Sequence, residues 1–219
     1  MYTTMNKIIL CANVKGGVGK TCLCALFANY LKGKDYQVLV CDIDYQASLY
    51  RHREREVDAN PDVPIPWEVR ILDTSNRQSL ITETAKIRQY QGIVLIDCPG
   101  TLNAVNLDIV YEAADLLVVP MSYDFDTVDA TGLFIKVIRK AYHGKLIFVP
   151  NRINTSEGKS EELKQREQTI SLLGRIGVVT PRIKQSVVIK RYSTLFGLDK
   201  YQHAAIEHAF ERIIDELNK

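Results

Sequence analysis

Short, nearly continuous apolar runs alternate along this chain with longer segments whose apolar residues recur at helical spacing. The runs predict strands over Lys7–Asn13, Gln37–Asp42, Val69–Asp73, Gly92–Asp97, Leu116–Pro120 and Lys145–Pro150. Runs without polar alternation are buried on both faces, which is the habit of parallel strands covered by helices. Helices are predicted over Thr21–Lys32, stopping before Gly33, and over Ser79–Gln91, which feeds the strand ending at Asp97. A third covers Gln202–Leu217, where Ala205, Ala209, Ile213 and Leu217 fall on one face. The stretch Asp58–Trp67, with Pro61, Pro64 and Pro66, reads as an exposed connection. No internal repeat interrupts the pattern. The expected fold class is therefore α/β, a mostly parallel twisted sheet with helices on both faces. At 219 residues it is expected as a single domain over 1–219.

Between the first strand and the first helix lies Lys15-Gly16-Gly17-Val18-Gly19-Lys20-Thr21. Glycines there let successive backbone N–H groups turn toward phosphate oxygens, and the helix that follows adds its positive end. Lys20 is placed to reach the terminal phosphates of a nucleoside triphosphate and Thr21 to ligate Mg²⁺. The loop departs from G-x-x-x-x-G-K-[ST] in having Val14 where the first glycine would stand, and it carries a second lysine, Lys15. Further carboxylates and amides end later strands: Asp42 and Asp44 in Asp42-Ile43-Asp44-Tyr45-Gln46, Asp97 before Cys98-Pro99-Gly100, and Asn151 after Pro150. In open α/β sheets ligands gather at the carboxyl ends of strands, so Asp42, Asp97 and Asn151 should share the crevice of the phosphate loop.

The double-lysine loop resembles that of the deviant Walker A ATPases of the ParA/MinD family within the P-loop NTPases, most closely the small ParA partition ATPases. That resemblance spans nearly the whole chain. It implies ATP and Mg²⁺ as cofactors, nucleotide contacts from Lys15, Gly16, Gly17, Val18, Gly19, Lys20, Thr21 and Cys22, and an ATP-dependent homodimer in which Lys15 reaches the partner's ATP. It also implies that Asp42 lies near Mg²⁺ with Thr21 and Asp97, and that Asp44 orients the attacking water, giving Lys15, Lys20 and Asp44 as the catalytic set. Asp44 also fits a helix N-cap for Gln46 onward. Tyr45 replaces a family proline, which leaves that loop without a fixed φ. Cys22 replaces a second threonine, and a thiol donates less well to the α-phosphate. By the same resemblance Asn151 hydrogen-bonds the adenine edge and Pro181 flanks the base, although an Asn after Pro150 also suits a plain turn.

Composition narrows the partners. The net charge is only +2, yet residues 175–200 hold Arg175, Arg182, Lys184, Lys190, Arg191 and Lys200 against the single acid Asp199. In ParA relatives this region holds DNA phosphates without reading sequence, and Lys184, Lys190 and Arg191 match best by position; charges on a helix also simply face water. Lys159, Lys164 and Arg166 form the next basic cluster. Only fourteen residues precede Lys15, so an added helix-turn-helix and sequence-specific operator binding are not expected. Cys11, Cys22, Cys24, Cys41 and Cys98 read as reduced core residues, without a second Cys/His pair at zinc spacing. Lys7 interrupts the N-terminus and the first apolar run is short, so no signal peptide is expected, and no run reaches membrane-span length.

These readings converge on an Mg²⁺-dependent ATPase of DNA partition or segregation. Its ATP-bound homodimer would coat nonspecific double-stranded DNA, and a ParB-like centromere-binding partner would trigger hydrolysis and release. It is expected to be cytoplasmic, nucleoid-associated and carried on a plasmid or mobile element. A MinD-like membrane-associated regulator, or another cargo-positioning ATPase, is the alternative. Glu207, Glu211, Asp215 and Glu216 on the terminal helix speak against anionic lipid, so no membrane partner is expected.

Overall fold

The computed structural model describes residues 6–102, 104–154 and 160–219. Seven strands form one sheet: β1 (Lys7–Cys11), β2 (Val38–Asp42), β3 (Glu68–Ile71), β4 (Ile93–Asp97), β5 (Leu116–Met121), β6 (Lys145–Pro150) and β7 (Val178–Val179). Every pairing is parallel, in the order β3-β2-β4-β1-β5-β6-β7. The helices are α1 (Lys20–Gly33), α2 (Ser48–Ala59), α3 (Arg77–Ile87), α4 (Leu107–Ala113), α5 (Phe125–Ile138), α6 (Ser160–Gly174), α7 (Val187–Lys190) and α8 (Lys200–Leu217).

The apolar runs of β1, β2, β4, β5 and β6 are buried on both faces, as expected, whereas the edge strand β3 is largely exposed. Along β1, Ile9 and Cys11 pack into one core layer while Ile8 and Leu10 pack into the other. The first layer gathers residues of α1, α7 and α8 with Leu49 of α2, and the second those of α3, α4, α5 and α6. α8 turns Ile206, Phe210, Ile213, Ile214 and Leu217 inward, and Phe210 meets Phe27 of α1 at 4.8 Å between ring centroids. At about 1.5–3 kcal/mol for each large apolar side chain buried, this packing accounts for the helix's amphipathic pattern without a lipid surface.

Glu216 near the end of α8 is buried among positive groups. It accepts from Lys145 at 2.9 Å, Arg212 at 3.2 Å and Lys219 at 2.6 Å. Hydrogen bonds from Lys219 and Lys145 pull its carboxyl down to about 2. A depressed carboxylate contributes stability above its unfolded pKa that is lost as pH falls through the folded one. Glu216→Gln should therefore lower stability at neutral pH by about 1–2 kcal/mol, after allowing for the solvent around the exposed cations. It should also flatten the loss of stability between about pH 4.5 and pH 2. Urea titrations across that range check both.

Three local expectations are corrected. The strand expected over Val69–Asp73 spans Glu68–Ile71, and β7 is an addition at the sheet edge. Trp67, placed in an exposed connection, is 3% exposed. Arg53, buried in α2, lies 4.2 Å over its indole and donates to its carbonyl at 2.6 Å, while the indole N–H reaches Asn29 at 2.8 Å. All five cysteines are free. Cys24 lies against Cys11, whereas the Cys22 thiol turns to the Ile189 carbonyl at 3.1 Å, so the two do not act as a pair.

Candidate nucleotide-binding site

Sheet order explains where the site forms. β1 lies between β4 and β5, the point at which successive connections leave in opposite directions, and a crevice opens there at the strands' carboxyl ends. Register sets Cys11 beside Asp97 and Asp42 beside Asp97, so two strand-end carboxylates flank the loop that leaves β1.

The loop is held from below by Asn13, which is fully buried. Its amide donates to the Pro120 carbonyl and the Thr131 hydroxyl at 2.9 Å each, and its oxygen accepts from the Lys15 N–H at 3.2 Å. Gly17 and Gly19 have φ of 76° and 94°, a region that costs an L side chain strain. A Cβ on Gly19 would also come within 2.5 Å of the Asn151 amide nitrogen. Glycine is thus required at that position twice over.

The two loop lysines diverge. Lys20 folds over the loop to donate to the Lys15 carbonyl at 3.3 Å, and its Nζ lies 3.2 Å from where a Cβ on Gly100 would stand. Burial lowers its pKa, while Asp97 and Asp44 act to raise it. The Lys15 ammonium stands away from its own loop, 3.8 Å from the exposed Asp126 carboxylate.

Asp97 is completely buried and accepts from the Thr21 hydroxyl, while its Oδ1 has no hydrogen-bond partner. Burial, reinforced by the charge of Asp42, pushes its carboxyl up to about 8 against the opposing pull of Thr21 and Lys20. A buried carboxylate oxygen left unpartnered beside a hydroxyl and an ammonium suits a site completed by a cation and phosphates. Asp42 is differently employed. One oxygen accepts the N–H groups of Leu49 and Tyr50 at 3.0 and 3.1 Å, and the other accepts that of Asp44 at 3.1 Å. It thereby caps α2, whose own N-cap residue Ala47 sits at φ 45° without a side-chain cap. Asp44 bonds the Gln46 N–H at 3.0 Å in a local turn and does not cap α2. Tyr45 beside it is 99% exposed. Among the described residues no group of three or more His, Cys, Asp or Glu could hold a metal by itself.

Asn151 is buried against the loop. Its amide nitrogen donates to the Val18 carbonyl at 2.8 Å and its oxygen has no partner. Arg152, at φ 58°, donates to the Gly17 carbonyl. These two residues separate two recesses. One, of about 520 Å³, lies along Gly16–Val18 and reaches Asp124, Gln165 and Arg166. The other, of about 190 Å³, is bounded by Gly19, Cys22, Lys184, Ile189, Lys190 and Tyr192. Burial pushes the Cys22 thiol up to about 12, keeping it neutral. Pro181 is exposed and absent from the lining of both recesses. Of the three basic residues singled out for DNA, all exposed, Arg191 alone lies outside these linings. Lys159 lies outside the described residues. Tyr192 was missed from the sequence, where only its position inside a basic segment marked it.

Residues 9–193 match the CbiA family, the CobQ/CobB/MinD/ParA nucleotide binding domain. The chain belongs to this ParA/MinD family. It is 27% identical over 169 residues to an uncharacterized protein of Pseudomonas putida, across 62% of this chain and 64% of that one, so it spans less than two thirds of that relative's length. Similar solved structures include an McdA variant of Cyanothece in complex with ATP, with TM-score 0.76, 17% identity and coverage of 99% and 97% of the two chains. A plasmid partition protein of Borrelia burgdorferi gives TM-score 0.67 at 18% identity, covering 96% and 98%. Cobyrinic acid a,c-diamide synthase of Mycobacterium smegmatis, with bound ADP and magnesium, gives 0.71 at 18%, covering 98% and 96%. At such identities these three attest the fold. No helix among the described residues is long and apolar enough to cross a membrane.

Proposed function

We propose that residues 1–219 act as one ATPase domain of the partition kind, in which ATP and Mg²⁺ drive a homodimer that binds DNA without sequence preference. The observation that carries this reading is the divergence of the two loop lysines. Lys20 is turned into its own loop, whereas the Lys15 ammonium stands outward beside Asp126 in a surface pair of little strength. A lysine spare to its own phosphate loop is available to a second protomer's nucleotide.

The loop N–H groups and Lys20 would bind the phosphates, and Thr21 with Asp97 would hold Mg²⁺, Asp97 through its unpartnered oxygen. The metal would neutralise phosphate charge. Asp42, with its oxygens bonded to α2 and Asp44, supports the site by fixing the loop that carries Asp44. Asp44, half-exposed at that loop, is left to orient water at the γ-phosphate. The Asn151 oxygen is suited to accept from an exocyclic amine of adenine; its nitrogen is already engaged with Val18.

DNA phosphates would meet Arg191 and its neighbours, and a centromere-bound partner protein would stimulate hydrolysis and release the dimer near the nucleoid. Because Lys184 and Lys190 line the smaller recess, Arg191→Ala separates DNA contact from nucleotide contact better than replacing all three. It should weaken binding uniformly across sequences and reduce the salt slope by about one per protomer, with ATP affinity unchanged. Retardation of random duplex DNA with ATP, with ADP and without nucleotide tests the reading as a whole. Retardation only with ATP supports it. ATP-dependent sedimentation with anionic liposomes and no DNA retardation would favour a membrane-associated regulator.

A further inference from the structure

Tyr192 stands between the smaller recess and helix α2. It lines the smaller recess with Cys22, Ile189 and Asn151, whose buried side-chain oxygen has no hydrogen-bond partner. Its ring is also stacked on His52 of α2, 4.8 Å between centroids and 25° between planes.

The segment that carries it is held from α2 and α1. Glu56 accepts from the Thr194 N–H at 2.6 Å, the Thr194 hydroxyl at 2.5 Å and the Leu195 N–H at 3.2 Å. Arg53 donates to the Thr194 hydroxyl at 3.1 Å and also to its carbonyl. Asn29 of α1 donates to the Ser193 and Phe196 carbonyls at 2.7 and 3.1 Å. A loop tied by charge-assisted bonds on one side and an amide on the other has lost its freedom before any ligand arrives, so its aromatic ring is preorganised. The first turn of the same α2 is capped by Asp42.

We propose that Tyr192 is a base-binding residue of the nucleotide site, an aromatic platform that supplies affinity for the purine ring, and that His52 is the positioning residue that backs it. The inference rests on the nucleotide-binding reading given above. One face of Tyr192 is covered by His52, and a base entering the recess between Asn151 and Ile189 would stack against the tyrosine with the Asn151 amide beside it. Every base has a π-face, so stacking supplies affinity and Asn151 supplies the choice among bases. Because α2 backs the tyrosine through His52 and receives Asp42 at its first turn, base binding and the Asp42–Asp44 loop share one rigid element.

The test is calorimetric titration of the full chain with Mg-ATP and, separately, with Mg-tripolyphosphate, which has the phosphates and no base. Wild-type protein that binds neither would overturn the nucleotide reading itself. Given wild-type binding, Tyr192→Ala should weaken ATP about tenfold and leave tripolyphosphate unchanged, while Tyr192→Phe keeps ATP affinity. His52→Ala should weaken ATP by a smaller factor, again sparing tripolyphosphate, and His52→Phe should restore it. The inference is overturned if Tyr192→Ala binds ATP as wild type does, or if it loses ATP and tripolyphosphate in equal measure, since a merely structural role would move both.

Discussion

Lys20→Ala should abolish nucleotide binding, with a loss of affinity of at least about a hundredfold. Its ammonium is half-buried near Asp97 and Asp44, and among the described residues it donates to the Lys15 carbonyl. Phosphate oxygens would give it stronger, charge-assisted partners in a partly buried site. Truncating one partner of such a buried charge pair costs about 2–5 kcal/mol or more, and each 1.4 kcal/mol is tenfold. The substitution also removes the cation that opposes the rise of the Asp97 pKa, so the carboxyl would hold its proton to higher pH and offer a poorer site for Mg²⁺. Lys15→Ala should differ. With its ammonium turned out to Asp126, ATP affinity of the monomer should stay within about threefold of wild type, as for a weak surface ion pair. ATP-dependent dimerisation and hydrolysis should be lost. Calorimetry and light scattering on the two variants decide the assignment, and an equal loss of ATP affinity in both would contradict it.

The parts legible in the sequence are those written in consecutive residues. The phosphate loop needs glycines with positive φ next to a lysine and a threonine, and Gly17 and Gly19 have that conformation. Strand-end carboxylates were legible because a parallel sheet brings carboxyl ends together, and register sets Asp42 and Asp97 side by side. Illegible were contacts made across long separations. Arg53 and Thr194 are 141 positions apart, and nothing in the polar run of α2 distinguishes the buried arginine from its exposed neighbours. The expectation for Pro181 comes from resemblance to the segment that flanks the base in relatives. There Ile183 turns inward, its N–H bonded to the Pro150 carbonyl, and leaves Pro181 at the surface. β7 escaped because two residues carry no period.

Asp44→Ala should yield a protein that folds, binds ATP and dimerises, yet hydrolyses at least about a hundredfold more slowly, the lower range for a positioned acid–base group. Folding should survive because α2 is capped by Asp42 through Leu49 and Tyr50, so losing the Asp44 carboxylate forfeits only the local bond to Gln46. The backbone bond from the Ala47 N–H to the Asp44 carbonyl, 2.8 Å, is untouched, and with it the left-handed turn at Ala47. Phosphate affinity should also survive, since Lys20 and the loop N–H groups are intact and one negative charge near the γ-phosphate has gone. The ATP-bound dimer should therefore accumulate and dissociate slowly. Light scattering after addition of ATP, followed over time beside a phosphate-release assay, reads both quantities. A variant that stays monomeric with ATP would make Asp44 a residue of loop structure, and one that hydrolyses at the wild-type rate would remove it from the chemistry.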